Sequence, residues 1–334
     1  MRRTLVVLLI VLALVTCAPQ RVEQAEPPAK PLRIGRYCWP GLYWVDIAAA
    51  KGWFAEEGLP VELIDTNADY YGSIAAVAGG TLDVHGFYVF DLVLFNARGS
   101  DLVGFLTSDV DTGATGIVVK REIGNLPALC GRKVAVPRGT FCEFLLSAAL
   151  ERQGMSLRDV ELIDAPAESA PASLARPEIA GVVTWEPILS DLLRQGYVGA
   201  FGTGDLPGVA PSVIATRRDV LRERPDDLMK LCRVWRKTTS FIENNPQAAF
   251  AIVARTYGRT PEEVAEFARH DRIRGLADNL AAFTYGPGFD SLYGAVESVN
   301  RHLVDSGAIG KPIDTAGVLD QRFVRLLRRE TSRQ

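Results

Sequence analysis

Histidine is scarce in this chain, with three residues among 334, and methionine is equally rare. His85, His270 and His302 are far apart in sequence, and none has a cysteine or a second histidine nearby. Transition-metal sites in proteins bring together several such ligands, often at short spacings. The sequence therefore predicts no metal site, and nothing in it indicates a cofactor.

Cysteine is also rare, with five residues, and no CxxC pair occurs. Apart from Cys17, the cysteines are Cys38, Cys130, Cys142 and Cys232. They are too few and too scattered for the disulfide framework of a small secreted protein, although an exported chain could pair them. Their pairing is left open by the sequence.

Positive charge is in slight deficit, since 37 Lys and Arg residues face 40 Asp and Glu residues. A mildly acidic chain lacks the basic patch expected of a nucleic-acid-binding protein. No GxxxxGK[ST] motif is present, which excludes a P-loop ATP site. No Ser/His/Asp or Cys/His spacing typical of nucleophilic catalysis occurs either. We therefore expect a protein that is not an enzyme and that has no nucleic-acid partner.

Long apolar runs are limited to residues 4–16, TLVVLLIVLALVT, which follow Arg2 and Arg3. Thirteen residues rise only about 20 Å as a helix, whereas a membrane span needs about 20 apolar residues. A short apolar run behind a basic start is typical of a signal peptide. Residues 1–16 are therefore predicted to be a signal peptide.

The signal peptide ends in LVTC, which resembles the bacterial lipobox, although Thr16 replaces the usual small residue. The resemblance implies that Cys17 is lipidated and becomes the first residue of the mature chain. Residues 17–31 are polar and proline-rich, as expected of a tether. We therefore predict an exported lipoprotein anchored to a membrane and facing the periplasm or the cell exterior.

Predicted strands and helices alternate from residue 32 onward, which is typical of an α/β fold with largely parallel sheets. Residues 45–58 are predicted to be one helix, and a strand at 211–217 is predicted to lie beside the strand at 115–120. On this interpretation, lobe 1 comprises 32–118 and 216–334, and lobe 2, residues 119–215, is inserted. Two crossing segments would then form a double hinge beside a cleft, where ligands of such folds bind.

Four stretches resemble the type II periplasmic binding proteins, and more narrowly the ABC-transporter family for nitrate, sulfonate, taurine and thiamine precursors. They are residues 39–64, 79–86, 130–163 and 182–193. The resemblance implies a monomer that captures a small molecule by hinge closure. It also implies delivery to a membrane permease driven by a cytoplasmic ATPase.

Candidate ligand-binding residues lie in loops at the expected cleft. Trp39 and Tyr43 follow the first strand, and aromatic rings there could stack on a planar ligand. The turn 139–141 opens a helix whose free N–H groups favour a polar acceptor, and the resemblance implies that this turn contacts ligand. The full predicted set is Trp39, Tyr43, Tyr88, Asp111, Gly139, Thr140, Phe141, Trp185 and Glu186.

The chemical class of the ligand is predicted from charge. Asp46, Asp111, Glu143 and Glu186 are expected at the cleft without an obvious basic partner. Because burying an anion beside unpaired carboxylates is costly, we favour an N-heterocycle resembling a thiamine precursor, or an amine, over a sulfonate or nitrate. Two alternatives remain at this point. One is a ligand-sensing module for a membrane receptor or kinase, and the other is an enzyme resembling thiamine-pyrimidine synthase.

Overall fold

The computed structural model describes residues 30–332, and within them eleven strands form two separate sheets. The strands are β1 (Leu32–Arg36), β2 (Val61–Asp65), β3 (Val84–Tyr88), β4 (Leu102–Asp111), β5 (Thr115–Val119), β6 (Lys133–Val136), β7 (Glu161–Asp164), β8 (Ile179–Trp185), β9 (Val198–Gly202), β10 (Ala210–Arg217) and β11 (Asp271–Ile273). The predicted signal peptide, Cys17 and nearly all of the predicted tether lie outside the described residues.

Helices surround both sheets. They are α1 (Tyr43–Ala50), α2 (Trp53–Glu56), α3 (Tyr70–Gly79), α4 (Val89–Ala97), α5 (Phe141–Glu151), α6 (Ala170–Leu174), α7 (Ile188–Arg194), α8 (Arg218–Glu223), α9 (Pro225–Asn244), α10 (Pro246–Tyr257), α11 (Pro261–Arg269), α12 (Leu276–Ala282), α13 (Leu292–Asp305) and α14 (Arg322–Thr331). No helix in the described range 30–332 is long and apolar enough to cross a membrane.

The first sheet has the strand order β11-β4-β10-β3-β1-β2. Its β1, β2 and β3 are parallel, whereas β10 runs antiparallel to both β3 and β4. The second sheet has the order β7-β6-β8-β5-β9, with β5 antiparallel to its two neighbours. The α/β fold class predicted from the sequence is therefore confirmed.

Two segments carry the chain between the sheets: residues 112–114 join β4 to β5, and residues 203–209 join β9 to β10. The expected pairing of 211–217 with 115–120 was wrong, because β10 is inserted between β3 and β4 and β5 lies in the second sheet. The lobe boundaries predicted at 118/119 and 215/216 consequently fall inside β5 and β10. An apolar, β-branched pattern predicts a strand but does not select its partner.

The helix predicted over 45–58 is divided in the structure. Helix α1 ends at Ala50, and α2 begins at Trp53. Gly52 lies between them with a φ of 71°, in the left-handed region that glycine adopts readily. Helix α11 begins as its sequence predicts, with Thr260 and Glu263 forming a capping box around Pro261.

Candidate ligand site

Five aromatic side chains meet where the two sheets face each other. Tyr37 and Trp39 follow β1, Tyr70 begins α3, and Tyr88 ends β3, whereas Trp185 comes from β8 of the second sheet. Ring centroids lie 5.9 Å apart for Tyr37 and Tyr70, 5.7 Å for Trp39 and Tyr88, and 5.2 Å for Tyr70 and Trp185. All three pairs are edge-to-face, a favourable geometry for aromatic rings. We call these five residues the aromatic box.

The aromatic box surrounds a cavity of about 20 Å³, which is room for about one water molecule. Among the described residues that line it, one is acidic and none is basic. The lining consists of Tyr37, Trp39, Leu42, Tyr70, Gly86, Phe87, Tyr88, Ser108, Asp109, Trp185 and Ser212. A solute larger than water must therefore displace some of these rings or separate the sheets.

Asp109 provides the carboxylate of the cavity wall. Its Oδ2 accepts hydrogen bonds from Trp39 Nε1 at 3.1 Å and from Ser212 Oγ at 3.0 Å. Its Oδ1 accepts a hydrogen bond from Ser108 Oγ. Burial raises the pKa of Asp109, and these donors oppose the rise. None of the described residues that line the cavity is cationic, but the charge of the buried Arg274 interacts with Asp109 from outside the wall.

A second carboxyl group, that of Asp271, lies behind Asp109. Strand β11 pairs with β4 so that Asp271 faces Asp111 and Ile273 faces Asp109. Asp271 is 5% exposed, and its carboxyl group interacts with the Asp109 side chain and the Gly41 backbone. Burial, followed by the charges of Asp109 and Asp111, raises the pKa of Asp271. This corner of the first sheet therefore has an excess of buried acidic groups.

Asp111 is the carboxylate that joins the two crossing segments. Its Oδ1 accepts from the backbone N–H of Gly113 at 3.0 Å and of Ala114 at 2.6 Å, both in the first crossing segment. The same oxygen accepts from Thr203 Oγ1, which begins the second segment. Its Oδ2 accepts from Tyr88 Oη at 2.9 Å. Asp111, predicted as a ligand contact, thus bonds to both crossing segments and does not line the cavity; its contact with ligand stays a prediction.

The four carboxylates expected at the cleft do not line the cavity, and the structure gives each of them other partners. Asp46 pairs with Arg36 at 3.5 Å and accepts from Tyr257 Oη at 2.7 Å, and Glu143 accepts from the backbone N–H of Gly139 at 3.1 Å.

Glu186 likewise does not line the cavity, and its carboxylate binds the first turn of α7, the helix that follows it. It accepts from the backbone N–H of Ser190 at 3.1 Å and from Ser190 Oγ at 2.7 Å. Burial raises the pKa of Glu186 to about 7, against the opposing effect of these two bonds. The cavity therefore owes its acidity to Asp109, which the sequence interpretation did not single out.

The turn 139–141 also lies off the cavity wall. Thr140 caps α5 by accepting from the backbone N–H of Cys142 at 3.2 Å and donates to the Pro137 carbonyl at 2.6 Å. Gly139 adopts a φ of 66°. Phe141 is fully buried, with its ring centroid 4.5 Å from that of Tyr88. Phe141 therefore packs against the aromatic box through Tyr88.

Three of the predicted residues, Trp39, Tyr88 and Trp185, line the cavity, so the loops that supply its wall were predicted in part. Tyr43 does not line it; its ring is fully buried and its hydroxyl has no hydrogen-bond partner. That these residues contact ligand stays a prediction.

Sequence reasoning missed Tyr37, Tyr70, Ser108, Asp109 and Ser212. One signal was available, because Tyr37 lies only two residues before Trp39, a predicted ligand-binding residue. Ser108, Asp109 and Ser212 lie within long buried strands, where a sequence pattern does not show which polar group faces a cavity.

His85 is held by hydrogen bonds within the fold, and the described cysteines are free thiols. His85 Nε2 lies 2.9 Å from Thr66 Oγ1 and its Nδ1 lies 2.7 Å from the Gly86 carbonyl. Burial lowers the pKa of His85 to about 4. Cys38 is a free thiol, and burial raises its pKa to about 12, so it is not an activated nucleophile. Cys130, Cys142 and Cys232 are also free.

Comparison with known families and sequences identifies relatives. Residues 41–249, more than half of the chain, match the family model described as NMT1/THI5 like. A binding protein of Brucella abortus (strain 2308) is 25% identical over 276 residues, covering 75% of this chain and 84% of that protein. The taurine-binding periplasmic protein of Escherichia coli (strain K12) is 25% identical over 190 residues, covering 54% and 57%.

Among solved structures, the alkanesulfonate-binding protein SsuA from Xanthomonas axonopodis pv. citri, bound to MOPS, superposes with a TM-score of 0.74. The two sequences are 17% identical, and the match covers 89% of this chain and 99% of SsuA. At that identity the likeness concerns the fold. The chain therefore belongs to the NMT1/THI5-like family and has the two-sheet α/β fold of the type II periplasmic binding proteins.

Proposed function

We propose that this protein is the solute-binding component of an ABC importer and that its ligand is a protonated amine or a nitrogen heterocycle. Family membership supports the binding role, since the curated relatives described above are binding proteins. The two crossing segments supply a hinge about which the two sheets, as two lobes, close on the solute. The closed form then docks on a membrane permease.

The observation that carries the ligand class is the composition of the cavity wall. The five rings of the aromatic box, Phe87 and the Asp109 carboxylate line it, and none of the described lining residues is Lys, Arg or His. A cation over an aromatic face gains about 0.5–2 kcal/mol, depending on its desolvation. An ammonium or heterocyclic N–H can also donate to Asp109. A buried sulfonate would instead meet this carboxylate, which is costly.

The experiment that tests this proposal is a thermal-shift screen of residues 32–334 against amines, aminopyrimidines, alkanesulfonates, taurine and nitrate. A ligand at a hundred times its Kd stabilises the fold by about 2.7 kcal/mol. We expect stabilisation by amines or heterocycles and none by simple sulfonates. Stabilisation by ethanesulfonate or nitrate alone would contradict the assigned ligand class while leaving the binding role intact.

We also propose that the chain is exported and held at a membrane by a lipid on Cys17. The basic start, the short apolar run and the lipobox-like LVTC support this proposal. Cys17→Ser is expected to move the protein from the membrane fraction to the soluble fraction of a bacterial lysate, because one thioether anchor is lost. Cys130→Ser, which removes an exposed free thiol, is the matched control. An unchanged membrane fraction for Cys17→Ser would contradict lipidation.

A further inference from the structure

Glu168 belongs to the part of the chain that forms the second sheet, and its carboxylate binds residues attached to the first sheet, next to the aromatic box. It lies in the turn Ala167–Ser169, shortly after β7. Its Oε1 accepts from Tyr37 Oη at 3.1 Å and from the backbone N–H of Tyr70 at 3.0 Å. Both donors belong to the first sheet's side of the cavity. The carboxylate thus bridges the two sides next to two rings of the cavity wall, Tyr37 and Tyr70.

The Tyr70 N–H is the first amide of α3, a helix of ten residues. The first amides of a helix have no partner within the helix and attract anionic groups. Asp69 caps this helix by accepting from Gly72 at 2.8 Å, which leaves the Tyr70 N–H for another acceptor. Glu168 supplies that acceptor from across the cavity.

The bridge extends into the cavity wall. Trp185 Nε1 donates to Tyr37 Oη at 2.8 Å, and that hydroxyl in turn donates to Glu168. One chain of hydrogen bonds therefore runs from Trp185 through Tyr37 to Glu168, crossing from the second sheet's side to the first and back. The Trp185 indole N–H, the Tyr37 hydroxyl and the Tyr70 N–H, which could otherwise donate to an acidic solute, therefore already have acceptors.

We propose that Glu168 acts as an internal ligand: it holds the two sheets together in the solute-free protein and excludes acidic solutes from the start of α3. This inference rests on the proposed ligand site but not on the identity of its ligand. An acid that reached the Tyr70 N–H would have to displace Glu168 and then lie beside a second negative charge. An amine faces no such repulsion.

The site has a separate set of cross-sheet contacts that Glu168 does not share. Asp191 of α7, which packs on the second sheet, pairs with Arg259 after α10 at 2.6 Å. Arg194 of α7 pairs with Glu266 of α11 at 3.0 Å. These ion pairs persist when Glu168 is replaced, so the variant proteins are expected to stay folded.

The test compares Glu168→Ala and Glu168→Gln with the wild type, using ethanesulfonate and calorimetry. Glu168→Ala vacates the start of α3, and we expect ethanesulfonate to bind at least tenfold more tightly than to wild type. Glu168→Gln removes the charge but keeps an acceptor, so a smaller gain and an unchanged Tm are expected. Glu161→Gln, an exposed change on β7, is the control.

Small-angle scattering of the solute-free proteins supplies the second readout. Glu168→Ala is expected to increase the radius of gyration, because the contact between the two sides at the aromatic box is lost. A folded Glu168→Ala protein with neither a gain in ethanesulfonate affinity nor an expanded radius would overturn the inference. If Glu168→Ala fails to fold, absence of any gain in Glu168→Gln does the same.

The proposed function fails in a distinguishable way. If the wild type binds amines and the Glu168 variants show no gain in ethanesulfonate affinity, only the proposed role of Glu168 is contradicted. A gain of sulfonate binding in Glu168→Ala, without amine binding by the wild type, supports the role of Glu168 and overturns the ligand class.

Discussion

Replacing Asp109 with asparagine is expected to weaken binding of the best amine from the ligand screen by at least about thirtyfold, or about 2 kcal/mol. Asparagine keeps the size of the side chain and an oxygen that accepts from Trp39, Ser108 or Ser212. The negative charge that would pair with the amine is lost. Calorimetric titration of wild type and variant measures the difference.

The fold provides an internal control for this substitution. Because the charge of Asp109 raises the pKa of its buried neighbour Asp271 and so opposes ionisation of that carboxyl group, Asp109→Asn should leave the Tm unchanged or raise it. Glu122→Gln, an exposed change remote from the cavity, should alter neither property. Full amine affinity in Asp109→Asn would contradict the assignment of Asp109 as the cation partner.

The stability of the protein is expected to fall as pH rises from about 5 to about 7, and Glu186 should account for a large part of the fall. Its pKa is about 7 in the fold and 4.5 in its ordinary range. Between these values the unfolded chain has lost the proton that the folded chain retains, so rising pH favours unfolding. The expected contribution is at most about 3 kcal/mol. Urea unfolding at a series of pH values measures it.

The matched variant for the pH experiment is Glu186→Gln, which cannot ionise but can still accept from Ser190. Its stability should fall less steeply over this pH range than that of the wild type. Asp91, whose pKa burial raises to about 7, keeps a residual slope in the variant. Equal slopes in the two proteins would mean that Glu186 is already ionised in the fold at pH 5.

Much of the fold was predictable from local patterns. Strand and helix alternation gave the α/β class, and the capping box at Thr260 gave the start of α11. The partner of β10 was not predictable, since pairing depends on which strands the tertiary structure brings together. For the same reason the lobe boundaries were placed inside β5 and β10.

The candidate site was predictable in its loops but not in its chemistry. Trp39, Tyr88 and Trp185 lie at strand ends or in the loop after a strand. In this fold class, ligands are expected beyond the carboxyl ends of strands. Asp109 lies within β4, a strand buried throughout its length, so its sequence neighbours do not reveal that it faces a cavity. Asp111, two residues later, was selected instead, and its oxygens hold the crossing segments together.

In the closure that we propose, Asp111 would lie next to the rotation axis, because its Oδ1 accepts hydrogen bonds from both crossing segments. A rotation axis near this carboxylate leaves the hinge bonds almost unstretched while atoms at the far rim of the cleft travel the longest arc. Tyr88 connects Asp111 to the cavity, because its hydroxyl donates to Asp111 and its ring lines the wall. In the proposed closure, a solute held against that ring would therefore act close to the axis, where a small movement accompanies a larger movement of atoms far from the crossing segments.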